Sequence, residues 1–343
     1  MKKLIHAFKI GFMVGLFLFQ YISAQNYQKL AQSGFQFLSV VSDARGASMA
    51  EAMTSLRVGS SSLFFNPAGM AEMDNIVDVT LSHNSWIADI THYTASIAIN
   101  PWKGRFGVIG FSLQSVDYGD FIGTRVNSGN ELGYDETGIF SLTAMAAGLG
   151  YAKRLSDKFS VGGQIRWIEQ DLGESEIAVI DAGDTSQTTV SNKLSPFIFD
   201  FGTQFKTGIK SLVFGMSVKN FSKEVKYARE GFQAPLVFTL GISMNVFDLF
   251  DQLPYNQSLI MSIDGSHHRD HPEQIKIGME YKILNALSLR GGYISNNDEN
   301  DFSFGCGFSG SGLSRYTGLR IDYSYTPFGV FDNVQRWTIG YSW

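Results

Sequence analysis

The chain has 343 residues, a net charge of -5, 44% hydrophobic residues and a single cysteine. So small a charge gives no electrostatic basis for nucleic-acid binding, and one cysteine, Cys306, excludes an intramolecular disulfide. Beyond the first 24 residues no stretch supplies the ~18 uninterrupted apolar residues of a membrane-spanning helix. The mean hydropathy of -0.02 would suit a soluble protein, yet a β-barrel gives the same average because only alternate residues face lipid.

Residues 1–24 read as an export signal. Lys2, Lys3 and Lys9 make a basic start, residues 10–22 form an apolar run, and Ser23 and Ala24 offer a small-residue cleavage site with the cut after Ala24. No cysteine follows the cut, which argues against a lipid anchor. Residues 25–75 lack two-residue alternation. Ser42 and Asp43 stand as N-cap candidates before a helix expected over residues 44–56. A small-residue run over 59–62 leads to Asn66, Pro67, Ala68 and Gly69, which mark a turn or helix terminus.

From residue 76 to 343 the chain reads as strand after strand. Ile275, Ile277, Met279, Tyr281 and Ile283 oppose Gln274, Lys276, Gly278, Glu280 and Lys282. Successive strand residues point to opposite faces, so each strand has one oily and one polar face. The last segment ends on the aromatics Trp337, Tyr341 and Trp343, read as a terminal insertion signal. About fourteen strands fit, from 76–84 to 331–343, with 104–117 third, 137–153 fourth and 158–171 fifth. The apolar phase changes between Phe106 and Ile109, for which a bulge or kink in the third strand is the expectation. Placing the N-terminus in the periplasm makes 101–104, 155–158, 206–210 and 284–285 short periplasmic turns. Segments 115–137, 171–193 and 221–233 become long external loops, the first bearing Tyr118, Phe121 and Ile122.

The polar face carries Arg166, Asp200, Lys219, Asp264, Lys276, Glu280, Arg290, Arg320, Asp322 and Arg336. Each such charge turned to mid-bilayer costs up to ~2–4 kcal/mol, so these side chains are expected to line the lumen. Fourteen strands enclose more than their own side chains fill. The expected architecture is therefore all-β: a transmembrane antiparallel barrel of about 14 strands over 76–343, with residues 25–75 as a small helical plug.

Other constellations read blandly. His267, His268 and His271 with Asp264 and Asp270 form the one histidine cluster, expected to be a solvated external loop without metal. Ser266 beside His267 has no identifiable orienting acid, and the glycines of 305–312 read as strand and turn rather than a phosphate loop. No catalytic residue and no cofactor is expected.

Gly34-Phe35-Gln36-Phe37-Leu38, Asp43-Ala44-Arg45-Gly46-Ala47-Ser48-Met49 and Ser60 to Phe65 followed by Asn66-Pro67-Ala68-Gly69-Met70 resemble the N-terminal signature of PorV/PorQ-type outer-membrane proteins. The Asn-Pro-Ala-Gly element is also similar to the hatch of FadL-type transporters. The likeness covers residues 34–73. One departure is that the family often has a Gly-Gly pair where this chain has Ala50 and Glu51. The resemblance implies a plugged fourteen-stranded barrel, monomeric in outer-membrane lipid. It implies a role in type IX secretion as a docking or shuttle platform, with secretion machinery and secreted cargo proteins as partners. The alternative it implies is transport of hydrophobic small molecules.

Overall fold

The computed structural model describes residues 33–343 except 128, 182–183, 228–229, 251–255, 298–300 and 313–317. The signal peptide expected over 1–24 lies outside the described residues.

The wall is built from β1 (Val77–Ser85), β2 (Thr91–Ile99), β3 (Val108–Val126), β4 (Tyr134–Arg154) and β5 (Phe159–Asp181). β6 has two successive segments, Asp184–Leu194 and Phe197–Lys206, parted at Ser195 and Pro196. Pro196 has no N–H to give the ladder, which accounts for the break. Then come β7 (Val213–Ser222), β8 (Val237–Asn245), β9 (Gln257–His268), β10 (Gln274–Ile283), β11 (Leu287–Ile294), β12 (Phe302–Ser309), β13 (Leu319–Pro327) and β14 (Asn333–Ser342). Each stave pairs antiparallel with its neighbours in sequence, and β14 returns to β1 in the register Asp78↔Ser342 to Ser85↔Gln335. The result is a closed up-and-down barrel of fourteen staves with no free edge along the wall.

Burial alternates along the staves as the sequence period demands. In β14 it runs exposed, buried, exposed, buried from Asn333, with Trp337, Ile339 and Tyr341 outward and Arg336 and Thr338 inward. Trp343 is exposed at the end of the chain. Trp337 packs on Tyr323 of β13 with centroids 4.7 Å apart, and Tyr341 on Trp343 at 5.4 Å. Cys306 is exposed on the outer face of β12 beside Phe304.

Several expectations require correction. The helix expected over 44–56 is only α1 (Ala44–Ser48). It ends because Ala50 and Glu51 both adopt left-handed backbone, with φ of 52° and 62°. These are the positions where the resemblance leads to the expectation of a Gly-Gly pair, and glycine takes that conformation without a Cβ penalty. A second single turn, α2 (Ser62–Phe65), precedes a 3-10 helix over Pro67–Glu72. The third stave has no kink near residue 108. Phe106 sits in the preceding turn, where Gly107 has φ of 91°, so the apparent phase change is the strand's start.

The stretches 115–137 and 171–193 are not loops. β3 and β4 stay paired to Val126 and Tyr134, after register shifts at Asp117/Asp120 and Gly123/Thr124. β5 pairs with the first segment of β6 after a shift at Asp171/Glu174. A tilted strand needs only ~9–11 residues to cross a bilayer. β3, β4 and β5, with 19, 21 and 23 residues, therefore stand well beyond it as two hairpins. Long projections mark the external end, which puts Trp343 and the starts of the odd staves at the periplasmic end. The connections there are not uniformly short, since 246–256 and 310–318 are longer than a tight turn.

The wall makes a direct prediction. Leu240 lies mid-stave on the outer face of β8 and is 54% exposed. Leu240→Arg should destabilise the barrel by about 2–4 kcal/mol in urea unfolding from lipid vesicles, whereas Leu240→Phe should change little.

Candidate functional site: the plug and the ionic wall around it

Residues 33–75 run down the inside of the barrel from the external rim to the start of β1. Ser33 forms a parallel bridge with Gln233 in the external connection between β7 and β8, and Gly34 N–H donates to Gln233 O at 3.0 Å. The descending segment thus starts at the outer end rather than at the periplasmic mouth. The reason is apolar: Phe35, Phe37 and Leu38 are buried against Val116, Ile168 and Ile198 of the wall. Phe232 covers Phe35 with ring centroids 5.5 Å apart.

Lower down, contacts become ionic. Asp43 caps α1 by accepting from Gly46 N–H at 2.7 Å and from Ser61 Oγ at 3.0 Å. Arg45 then points into the wall and donates twice to Glu280 of β10, at 2.9 Å each. Glu280 also accepts from Arg290 Nε at 2.6 Å, and Arg290 reaches Asp322 at 2.6 Å. Plug and three staves are joined by one alternating chain of charges, in which Glu280 is completely buried. Lys276 pairs with Glu51 at 2.7 Å, and Arg320 with Asp78 at 2.7 Å. Asp78 in turn accepts from the plug's Ser60 N–H at 2.8 Å. Glu72 takes Lys206 as its partner.

The remaining predicted wall charges all lie on the inner face. Arg166 bonds Asp200 at 2.9 Å, within the wall. Arg336 donates to the plug carbonyl of Val41 at 2.8 Å and lies over the Trp86 ring at 5.5 Å. Asp264 accepts from Thr54 N–H at 2.9 Å, and Lys219 donates to Phe64 O at 3.3 Å. Eight of the ten charges on the polar face, namely Arg166, Asp200, Asp264, Lys276, Glu280, Arg290, Asp322 and Arg336, are buried, and Lys219 and Arg320 are partly so.

Asn66 is the second anchor. Its Oδ1 caps the 3-10 helix by accepting from Ala68 N–H at 3.1 Å. Its Nδ2 donates to Thr54 O at 2.7 Å and to Thr203 O of β6 at 3.0 Å. Pro67 opens that helix, while Ala68 and Gly69 are buried beneath the wall. The seat exists because the wall leaves room. A Cβ on Gly202 would lie 1.8 Å from Asn66 Oδ1, and one on Gly292 would lie 2.3 Å from Ala50 N. Sequence reading missed these inward glycines; small residues recurring on the polar face of successive strands were the available signal.

A cavity of about 140 Å³ opens among Arg45, Arg57, Lys282, Arg290, Arg320 and Asp322 near the periplasmic ends of the staves. Its walls are charged. The apolar space near the external end is instead filled by Phe35, Phe37 and Leu38.

A family model described as "Type IX secretion system membrane protein PorP/SprF" matches residues 60–342. The chain belongs to the PorP/SprF family of type IX secretion system membrane proteins. The family is one of secretion barrels, not of enzymes, and with the fold it places the chain in the outer membrane. Among curated proteins, no sequence matches the chain. In fold, this PorP/SprF-family barrel is similar to the toluene transporter TbuX of Ralstonia pickettii (12% identity, TM-score 0.55, 91% of this chain and 98% of that one). It is equally similar to the toluene transporter TodX of Pseudomonas putida (13%, 0.55, 91% and 98%). A FadL homologue of Pseudomonas aeruginosa follows (12%, 0.51, 88% and 98%). At these identities the likeness establishes the FadL-like plugged-barrel fold alone.

Two predictions follow from the plug's electrostatics. Glu280→Gln removes the carboxylate shared by Arg45 and Arg290, and stranding buried charge should cost about 3–5 kcal/mol in urea unfolding. Arg45→Met should cost less, because Glu280 keeps Arg290. Burial opposes ionisation of Glu51 and Glu72, but Lys276 beside the first and the bonds from Lys206 and Ser160 to the second outweigh it. Both carboxyls are held below the ordinary 4.5. Each therefore stabilises the plug above about pH 4.5, and that stabilisation disappears as pH falls through the lowered value. For Asp43, burial dominates and pushes the carboxyl up, so its slope has the opposite sign. The melting temperature of Glu51→Gln/Glu72→Gln should fall less than wild type between pH 7 and pH 3.

Proposed function

We propose that this barrel is a membrane-held docking platform for type IX secretion, holding secreted cargo proteins against the machinery at the cell surface. The observation that carries this reading is the match of the secretion family over residues 60–342 to a barrel whose bore is occupied by its own plug. A stoppered barrel has its outer surface left for work. The β3–β4 and β5–β6 hairpins supply that surface, with Phe121, Ile122, Tyr134, Ile139 and Phe140 exposed on the first. Loops and hairpins on a rigid scaffold commonly carry recognition.

The finer assignment, to a PorV/PorQ-type role, rests on the plug residues 34–73, whereas the matched family model bears the PorP/SprF name. A cleaved signal over residues 1–24, a plug from about residue 25 to 75 and a monomeric barrel complete the proposal. The transport alternative has the FadL-like fold in its favour. Against it stands the packing of Phe35, Phe37 and Leu38 into the apolar space that a hydrocarbon would need.

The test is affinity purification of the barrel from outer membranes in native detergent. A secretion platform retains a large translocon component or secreted cargo, and loses the cargo when residues 127–133 are shortened while the barrel itself stays heat-modifiable. Recovery of bound fatty acids or aromatics, with no protein partner, would establish the transport reading instead.

A further inference from the structure

The histidine segment expected to be a solvated loop is partly interior. Asp270 is 3% exposed. His268 closes β9 with its Nε2 buried and without a hydrogen-bond partner. His271 Nδ1 lies 2.8 Å from Asp270 Oδ1, and the two imidazoles meet edge to face at 5.9 Å. One ligand atom from each of His268, Asp270 and His271 lies within 4.8 Å of the other two.

We propose that His268, Asp270 and His271 form a site for a borderline divalent metal ion of the Zn²⁺ type at the external rim. Two imidazoles and one carboxylate suit Zn²⁺, Ni²⁺ or Cu²⁺, whereas Ca²⁺ and Mg²⁺ take oxygen ligands. Three protein ligands leave a fourth position for water. Ligand atoms of a tetrahedral Zn²⁺ stand roughly 3.3 Å apart, given bonds of about 2.0–2.1 Å. Closing the three from within 4.8 Å to that spacing shortens each gap by at most about 1.5 Å. The ion gives the orphaned His268 nitrogen a partner, which the protein itself does not.

The outer support of this site is the plug. Asp270 Oδ2, the oxygen turned away from His271, accepts from Ser33 Oγ and from Gln36 Nε2, the latter at 2.8 Å. Partners of this kind orient a ligating carboxylate and typically change metal affinity 10–100-fold when removed. Ser33 is also the residue bridged to Gln233. The ion therefore clasps the leading end of the plug to the rim, and occupancy and seating of residues 33–39 stabilise one another. Lys276 and Lys219 stand near His268 and oppose a cation, while Glu51, paired to Lys276, offsets part of that charge.

The experiment uses the full-length, tag-free barrel in detergent after chelator treatment, titrated with Zn²⁺ by calorimetry and with Co²⁺ by visible absorption. One ion per barrel is expected. His271→Ala and His268→Ala should each weaken binding at least 10-fold. Ser33→Ala should weaken it by up to about that factor, and His267→Ala, which alters the exposed pair with Glu273, should not. His271 is 47% exposed in its side chain, so His271→Ala should keep the wild-type circular dichroism spectrum and heat-modifiability, which are measured alongside. In wild type only, Zn²⁺ should slow hydrogen exchange over residues 33–39. No saturable binding, or equal affinity in wild type and His271→Ala, overturns the proposal.

Discussion

Everything in this barrel depends on the cost of a charge in hydrocarbon. Lipid outside forces the ionic side chains of the staves inward, and most are buried there, where an isolated ion is costly. The plug answers that demand. Arg45 enters a wall whose Glu280 already faces Arg290, so the carboxylate is shared by two guanidiniums and both staves and plug are fixed by one group. Glu51 on Lys276 and Ser60 on Asp78 repeat the arrangement at other heights. Plug and barrel are electrostatically one body, which fits a scaffold better than a conduit.

Much of the barrel was legible in the sequence because its signal is local. A period of two residues survives wherever one face meets lipid, as in Trp337, Ile339 and Tyr341, and the inward set of charges follows from the same alternation. What failed to show was whatever depends on distant partners. The helix expected over 44–56 had good propensity, but the chain turns at Ala50 to lay backbone against Gly292, some 240 residues away. The hairpins read as loops because above the membrane both faces meet water, and apolar residues fall side by side, as in Phe121-Ile122 and Ile139-Phe140, so the alternation is lost. Pairing there rests on backbone hydrogen bonds, which composition does not record.

The site was legible by type and not by connection. Asn66 and Gly69 could be marked as a helix terminus from their chemistry, yet the wall groove that receives Asn66 is defined by Gly202, an absence of side chain. The histidines were visible as a cluster. Their partial burial was not, because it comes from the plug arriving at the rim beside Asp270.

The same geometry ties the plug to the seam of the barrel. Ala44 N–H donates to Thr338 Oγ1 and Val41 O accepts from Arg336, both on the last stave to leave the ribosome. A peptide already lying along the bore can be enclosed when that stave zips onto the first, but a finished cylinder offers no side entrance for it. The plug's seat is therefore complete only once the seam is shut, because two of its backbone groups find their partners on the final stave.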